Sequence, residues 1–539
     1  MLNMMRSCSY LVLAALLLFG FAGTSWGLAS NNIPLDSPVY QYLDKLAGFG
    51  LITSEVKGIR PYAKAEAARL LTEAEMNLPR LEGGGAAFAG QLIARLRELI
   101  PREANLRAAP ERAPWFDANP LASARLRYVY LDGVPRDYTR DVYDPANQSA
   151  FGFIGGNLRP QSPAIVHKSG SEGTPLQENN EGVNYGRGNN GEFRWDMEGF
   201  VKDKVSLLVE PLLLATPGMK RLALQKGYVK IGSGGLELEA GRDANWFGPG
   251  YRGALTLTDN AKNFDLIKLS SPEPLDVAWV KKYLGDFKYA AIFSRFNETG
   301  TGANLRRPYF VGIKLALKPK PWFEIGANFV RQEGGPGFSG STSIQDLIFG
   351  GGYTNKSNTI AGIDLRFKLP WLRDSELYGE YVGEDSALFW PFVESYLAGF
   401  YIPRLTASGQ DDLRFEYFWG HQLLYSDGKF PDGYTYDGMS PGHSQGGGAQ
   451  EFFVRYSHWF SVRNSVALEY IHGDRGKVGK IAPQKTEYRN GARFFWDLPV
   501  YGDIDAEIMY GWERINNLNL VEGVNRSNQL VRFDLRYRY

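Results

Sequence analysis

The sequence predicts an all-β transmembrane β-barrel of about 18 antiparallel strands, preceded by a small periplasmic α-helical segment. Apolar and charged side chains alternate, residue by residue, over most of the chain. Aromatic residues reach 14% although the mean hydropathy is only −0.30, and the sequence ends on an aromatic residue, Tyr539. Because only every second residue of a barrel strand faces lipid, such a chain is rich in rings without being apolar overall.

Residues 1–29 predict a secretory signal peptide. Arg6 supplies the positive charge, residues 11–22 form the apolar stretch, and small residues up to Ala29 offer cleavage positions. The stretch is shorter than the roughly 20 residues of a membrane-spanning helix. The only cysteine, Cys8, lies in this peptide. We therefore expect a mature chain without disulfides, thiolate metal sites or cysteine nucleophiles.

Residues 30–112 predict the helical segment. Ser37 and Pro38 form an N-cap and first-turn pair. Two later stretches carry apolar residues at the 3.6-residue helical spacing: Ala63, Ala67, Leu70, Leu71 and Ala74, then Phe88, Leu92, Leu96 and Leu99. The simplest interpretation is a helical packing element, and a separate binding role is the alternative.

Residues 113–539 predict the barrel. In the last strand Val531, Phe533 and Leu535 alternate with basic and acidic residues. That strand resembles the C-terminal strand of bacterial outer-membrane barrels, whose terminal aromatic residue is read by the insertion machinery. Closure into a cylinder satisfies every strand edge in a lipid that offers no hydrogen bonds. Short connections, such as 370–374, and long polar ones, such as 132–190 and 426–450, are expected at opposite ends.

The side chains expected to face the lumen carry both signs of charge. They are Arg127, Arg194, Asp196, Glu198, Glu237, Glu239, Lys314, Glu324, Arg366, Arg414, Glu416, Arg455, Glu469, Glu507 and Arg532. Opposite charges across a narrow lumen pair with one another, so we expect a closed or plugged lumen. The whole chain has 60 basic and 59 acidic residues, a balance that gives no reason to expect nucleic acid as a partner.

The densest motif is the segment 242–252, which follows a predicted strand. It combines Arg242, Asn245, Trp246, Tyr251 and Arg252 around a Gly-Pro-Gly turn. Aromatic faces beside planar hydrogen-bonding groups suit a sugar ring, so these five residues are predicted to bind a glycan. The alternative is a structural corner in which Trp246 packs and Arg242 pairs with a lumen carboxylate.

Two further aromatic groups are candidates. Trp390 belongs to one that could also form part of the membrane-interface girdle. Tyr434 and Tyr436 lie, with Phe430, in a loop rich in glycine and aspartate. Rings in such a loop are expected to face solvent and to contact ligand.

Several segments together resemble the Wzi capsule-assembly family of outer-membrane proteins. They are "YQYLDKLAGFGLI", "RPYAKAEAARLL", "EAGRDANWFGPGYRGALTLTDNA" and "ELYGEYVGED", and the resemblance covers nearly the whole mature chain. It implies a monomeric 18-stranded barrel in the cell outer membrane, surrounded by outer-membrane lipid, with periplasmic helices and an occluded lumen. It also implies a lectin-like role that holds capsular polysaccharide or exopolysaccharide at the cell surface.

Two other functions remain open at this point. A porin or solute channel would share the barrel but require an open lumen. An outer-membrane lipase would need Ser, His and Asn or Asp brought together across strands. Only five histidines occur, and the sequence contains no zinc motif, nucleophile elbow or phosphate-binding loop. The sequence therefore predicts a protein that is not an enzyme and needs no cofactor.

Overall fold

The computed structural model describes residues 27–144, 164–233, 235–299, 302, 305–338, 342–349, 356–384, 393–430 and 432–538. Most of the predicted signal peptide, residues 1–26, lies outside these ranges. The proposed limits of the signal peptide, helical segment and barrel therefore stay predictions.

A closed antiparallel barrel of eighteen strands is formed by the described residues. The wall strands are β2 (Asp117–Asp132), β5 (Gly188–Val201), β6 (Val205–Thr216), β7 (Met219–Ser233), β8 (Leu236–Asp243), β10 (Phe264–Ser270), β11 (Asp286–Arg295), β12 (Tyr309–Lys320), β13 (Phe323–Glu333), β14 (Ser357–Leu369), β15 (Ser375–Glu384), β16 (Val393–Ile402), β17 (Asp411–Trp419), β18 (Ala449–Ser461), β19 (Asn464–Arg475), β20 (Glu487–Tyr501), β21 (Ile504–Asn516) and β22 (Arg526–Tyr537). Each wall strand pairs with its neighbours along the wall, and β22 pairs with β2 to close the cylinder. The predicted fold class is confirmed.

Among the described residues, four short strands lie outside the wall. β1 (Ile59–Arg60) pairs with β9 (Trp246–Phe247), and β3 (Asp137–Asp144) pairs with β4 (Ala164–Ser171). The β1–β9 pair joins the N-terminal segment to the connection after β8. The β3–β4 pair forms a hairpin within the connection between β2 and β5.

The outer surface carries the apolar half of the alternation. Exposed aromatic side chains lie near one end of the wall at Trp115, Trp279, Trp322, Trp371, Phe460 and Tyr501, and near the other end at Tyr130, Phe452, Tyr470, Tyr488, Tyr510 and Trp512. Two such groups are typical of the girdles at the two membrane interfaces of an outer-membrane barrel.

Four helices cover one end of the barrel, called the helical end below. They are α1 (Val39–Gly48), α2 (Lys64–Asn77), α3 (Ala86–Leu99) and α4 (Pro101–Ala108). Their apolar faces form one core with Trp459, near the end of β18, and Val462 of the β18–β19 connection. Lys45 donates hydrogen bonds to the carbonyls of Pro403 and Gly409. The helices are thus bound to the short connections of the barrel, as a packing element would be.

The opposite end, called the loop end, carries the long connections between strands. Two of these fold back into the barrel: residues 244–263, after β8, and residues 420–448, between β17 and β18, are largely buried. Two small helices, α5 (Ala278–Leu284) and α6 (Ile344–Phe349), occur in other connections.

None of the helices in the described part of the chain has the length and apolar character needed to cross a bilayer.

Candidate functional site

The N-terminal segment enters the lumen and is bound to its wall. The side-chain Nδ2 of Asn32 donates to the Asp243 carboxylate at 2.6 Å, and Lys230 Nζ donates to the side-chain Oδ1 of Asn32 at 2.6 Å. Further along, the Lys57 ammonium lies 2.9 Å from the Glu376 carboxylate. The N-terminal segment therefore occupies part of the lumen, and the charged wall residues bind this segment as well as one another.

The side chains predicted to face the lumen do so, and they are buried or nearly buried. Arg127 binds Asp534 at 2.7 Å, and Arg366 binds Glu324 at 2.8 Å. Because these pairs join different strands, they connect the wall around its inner circumference. Buried pairs of this kind are firm only when both partners are present.

Arg242 lies on the outer face of the wall, apart from the other motif residues. Alternation along β8 directs Asp243 inward and therefore Arg242 outward. The guanidinium pairs with Asp265 on the outer face at 2.8 Å and donates to the Leu224 carbonyl. The prediction that both motif guanidinium groups come together was wrong, and so was the alternative that Arg242 pairs inside the lumen.

Trp246 is buried where β9 pairs with β1. Arg60 lies directly opposite it in this pairing, and its guanidinium carbon is 4.5 Å from the Trp246 ring centroid. Gly248 follows with φ +136°, and a Cβ there would come within 2.3 Å of a Glu380 oxygen. Only glycine fits this turn. Asn245, just before Trp246, is buried beside Lys268. The Lys268 ammonium donates to the side-chain Oδ1 of Asn245 at 3.2 Å.

Arg252 is the centre of a buried ionic cluster. Its guanidinium donates two hydrogen bonds to Glu178, both 2.8 Å, and two to Glu451, at 3.1 and 3.4 Å. Glu178 also accepts from Arg489 and Arg493, each at 2.9 Å. Burial raises the pKa of Glu178, but these three cations outweigh it and hold that pKa well below its usual range. The cluster ties the 172–187 connection to the motif.

Glu178 was not among the sequence candidates, because nothing in its polar, glycine-containing connection shows that it turns inward. The spacing of Arg489 and Arg493 on the lumen face of β20 is the one available signal, since two inward cations need a carboxylate partner.

Part of the motif faces a cavity inside the lumen. Trp246, Tyr251 and Arg252 line a space of about 260 Å³, together with residues of the N-terminal segment. Asn245 does not line it, and Arg242 lies outside the wall. The structure therefore brings three of the five motif candidates together around one enclosed volume.

Tyr434 and Tyr436 are buried, which corrects the expectation of solvent-facing rings. The Tyr434 hydroxyl donates to the Thr256 carbonyl at 2.8 Å, and the Tyr436 ring centroid is 4.3 Å from that of Phe264. The residue 420–448 connection folds onto the 244–263 connection, and aromatic burial stabilises that arrangement. Trp390 lies outside the described residues, so its role stays a prediction.

His443, in the same connection, stacks on Phe418 with 3.7 Å between ring centroids. Its Nδ1 accepts a hydrogen bond from the Gln445 backbone N–H at 3.3 Å, so that nitrogen carries no proton. Burial, and then the nearby Arg252 charge, lower the pKa of His443 to about 3. The imidazole is neutral and holds this connection in place.

The β3–β4 hairpin presents a solvent-exposed face at the loop end. On that face Asp141 pairs with His167 at 2.9 Å, and both side chains are more than half exposed. Tyr143 and Ile165, directly opposite each other in the register, are also exposed. The Tyr143 N–H donates to the Gly479 carbonyl at 2.7 Å, so the hairpin is attached to the β19–β20 connection.

This exposed face was missed in the sequence. Asp141 and Tyr143 are two residues apart, as are Ile165 and His167, and this spacing places each pair on one face of a strand. The polar tract between the two pairs suggested a single long loop instead.

A sequence profile for the family described as capsule assembly protein Wzi matches residues 157–538, more than two thirds of the chain. The chain belongs to the Wzi capsule assembly family. The matched range contains both inward-folded connections and every barrel strand except β2. The family resemblance is thereby confirmed, and the matched range contains the two later segments on which it was based, residues 239–261 and 376–385.

A solved Wzi structure supports the fold. It is Wzi of Escherichia coli, an outer-membrane protein involved in group 1 capsule assembly and a carbohydrate-binding β-barrel. The two share 17% identity and a TM-score of 0.66, over 95% of this chain and 99% of that one. The chain accordingly has the Wzi barrel fold.

An uncharacterised 55.8 kDa protein in the cps region of Klebsiella pneumoniae is 28% identical over 174 residues. That match includes 30% of this chain and spans about a third of the relative's length, 33%.

Proposed function

We propose that this protein binds capsular polysaccharide or a related exopolysaccharide at the cell surface and holds or helps assemble it there, without catalysis. The observation that carries the proposal is the Wzi family match over residues 157–538. The Escherichia coli member of the fold is a carbohydrate-binding barrel involved in capsule assembly. A plugged lumen supports attachment rather than transport, because a channel for solutes needs a continuous water-filled path.

The exposed face of the β3–β4 hairpin is the surface that we propose contacts the polymer. Tyr143 offers an aromatic ring for the apolar face of a sugar, while Asp141 and His167 offer hydrogen-bonding groups at its edge. The attachment of the hairpin to Gly479 supports the role, because a preordered site loses little conformational entropy on binding.

Orientation and partners follow from the same proposal. The loop end would face the outside of the cell, the helical segment would lie in the periplasm, and the aromatic girdles would contact outer-membrane lipid. We propose a monomer, because the barrel wall is closed and leaves no strand edge to pair with another copy.

The absence of catalysis is part of this proposal. In the described ranges, no group of three or more His, Cys, Asp or Glu side chains is arranged to hold a metal ion. His443 is buried and stacked on Phe418, where no substrate could reach it.

Retention of polymer on cells tests the function. The double variant Tyr143→Ala/His167→Ala should release a large part of the cell-attached polysaccharide into the medium, while the barrel stays folded in the outer membrane. Tyr501→Ala, an exposed ring at the helical end, is the matched control and should retain polymer as the unaltered protein does. Complete retention after deletion of the gene would contradict the function. Loss in the deletion but not in the double variant would contradict the hairpin site alone.

A further inference from the structure

The lumen cavity has the size and lining of a small-molecule site. Its volume of about 260 Å³ is just below the roughly 300–1,000 Å³ of pockets for drug-sized ligands, so a ligand of monosaccharide size would fit. The lining includes nine basic and nine acidic side chains. Most of the basic side chains of the lining pair with carboxylates, as Lys57 does with Glu376 and Arg414 with Asp44.

Arg60 is the exception among the basic residues of this lining. Every other one has a carboxylate within 4 Å, as Arg252 has in Glu178 and Arg532 in Glu507. No carboxylate partner of Arg60 is found in the ranges that the structure describes. Its guanidinium donates to the carbonyls of Gly248 and Gly250 and stacks on Trp246. A guanidinium without a counter-ion in a mostly enclosed space attracts an anion, and its planar donors match a carboxylate.

The position of Arg60 is set by backbone pairing rather than by its side chain alone. Arg60 and Trp246 are partners in the β1–β9 register, and the Gly248 N–H donates to the Gly58 carbonyl at 3.0 Å. The guanidinium is therefore held before any ligand arrives, which lowers the entropy cost of binding.

The same cavity offers groups that suit a sugar. Tyr40 and Leu35 line it with half-buried apolar surface, and Gln41 lines it with an amide. Within the described ranges, no hydrogen bond of the Gln41 amide is found. Apolar and aromatic surface beside a hydrogen-bonding amide fits the two faces of a pyranose ring.

We propose that this cavity binds a monosaccharide that carries a carboxylate, such as a hexuronic acid, with Arg60 as the anion-binding group and Trp246 as its support. The site lies inside the lumen. It goes beyond the attachment of polymer at the hairpin and does not depend on it.

Calorimetric titration of the full-length barrel, in a detergent without a sugar headgroup, tests the proposal. D-glucuronate, D-glucose and acetate are the three probes. Glucuronate should bind saturably and at least tenfold more tightly than either of the others. Absence of glucuronate binding would overturn the site, and equal binding of glucuronate and acetate would overturn the assignment to a sugar.

Variants then locate the site. Arg60→Gln should weaken glucuronate binding at least tenfold, whereas Arg242→Gln, an arginine on the outer face of the wall, should leave it unchanged. Equal affinity in Arg60→Gln and the unaltered protein would overturn the role of Arg60. If Arg60→Gln does not fold, the three-probe comparison on the unaltered barrel still decides, and Arg60→Lys replaces it as the variant. Polymer retention by cells reports separately on the hairpin.

Discussion

Single carboxylates inside the barrel balance several cations at once. Glu178 accepts hydrogen bonds from Arg252 in the 244–263 connection and from Arg489 and Arg493 on β20. Removal of one partner from a buried ionic group leaves the others charged and desolvated, a larger loss than the group's net contribution to stability.

Glu178→Gln is therefore expected to lower the free energy of unfolding by about 3–5 kcal/mol. Urea unfolding followed by intrinsic fluorescence measures it. Glu522→Gln is the matched control: Glu522 is 72% exposed and pairs only with Lys485, at 3.5 Å, so its loss should be about 1 kcal/mol or less. Equal effects of the two substitutions would show that the Glu178 cluster is solvated.

His443 should make stability depend on pH. Its pKa is about 3 in the folded chain, against about 6.5 for a free imidazole. Between these two pKa values the imidazole is protonated in the unfolded chain and neutral in the folded chain. The free energy of unfolding therefore falls as the pH drops from about 6.5 toward 3. At pH 5 the loss attributable to this residue is about 2 kcal/mol.

Urea midpoints at pH 7 and pH 5, in the unaltered protein and in His443→Gln, measure this contribution. The variant should lose less stability between the two pH values, because glutamine does not titrate. The same pH dependence in both would indicate that carboxylates, not His443, are responsible.

Among the elements, the N-terminal segment is the one that fills the lumen from the helical end. It is attached through Asn32, through Lys57 and through the β1–β9 pairing, while the connections 244–263 and 420–448 fill the barrel from the loop end. The N-terminal segment and both connections contribute polar groups that form hydrogen bonds and ion pairs with the charged side chains of the inner wall.

Removal of residues 30–112 should open the barrel to ions. In planar bilayers the full-length chain should show no steady open current, whereas the shortened barrel should conduct, with its folding verified by heat-modifiable migration in gels. A folded, shortened barrel that does not conduct would show that the inward-folded connections seal the lumen by themselves.

At the level of the whole molecule, the two ends of the barrel carry different types of structural element. One bears helices and short turns, and the other bears long connections and the β3–β4 hairpin. Outer-membrane barrels place their short turns in the periplasm, which supports our proposal that the helical end faces that side.

Cysteine labelling tests the orientation, because the only cysteine of the chain is Cys8, in the predicted signal peptide. Ile165→Cys and Met76→Cys are matched, since the native side chains are 65% and 67% exposed. A membrane-impermeant maleimide should label Ile165→Cys on intact cells and label Met76→Cys only after the outer membrane is opened. The reverse pattern would contradict the assignment of the two ends.

The wall could be derived from the order of residues because alternation is a local property: Leu126 and Tyr128 face outward and Arg127 inward, whatever the rest of the chain does. The pairing of the inward charges followed from the same alternation, whereas the N-terminal segment that occupies the lumen did not. The paths of the long connections could not be derived. Tyr434 looks like a solvent-facing ring until residues 420–448 fold onto residues 244–263, and Glu178 acquires its role only when three distant arginines surround it. Whether a loop turns inward or outward depends on contacts between residues far apart in the chain. The local alternation of apolar and charged residues gives no information about those contacts.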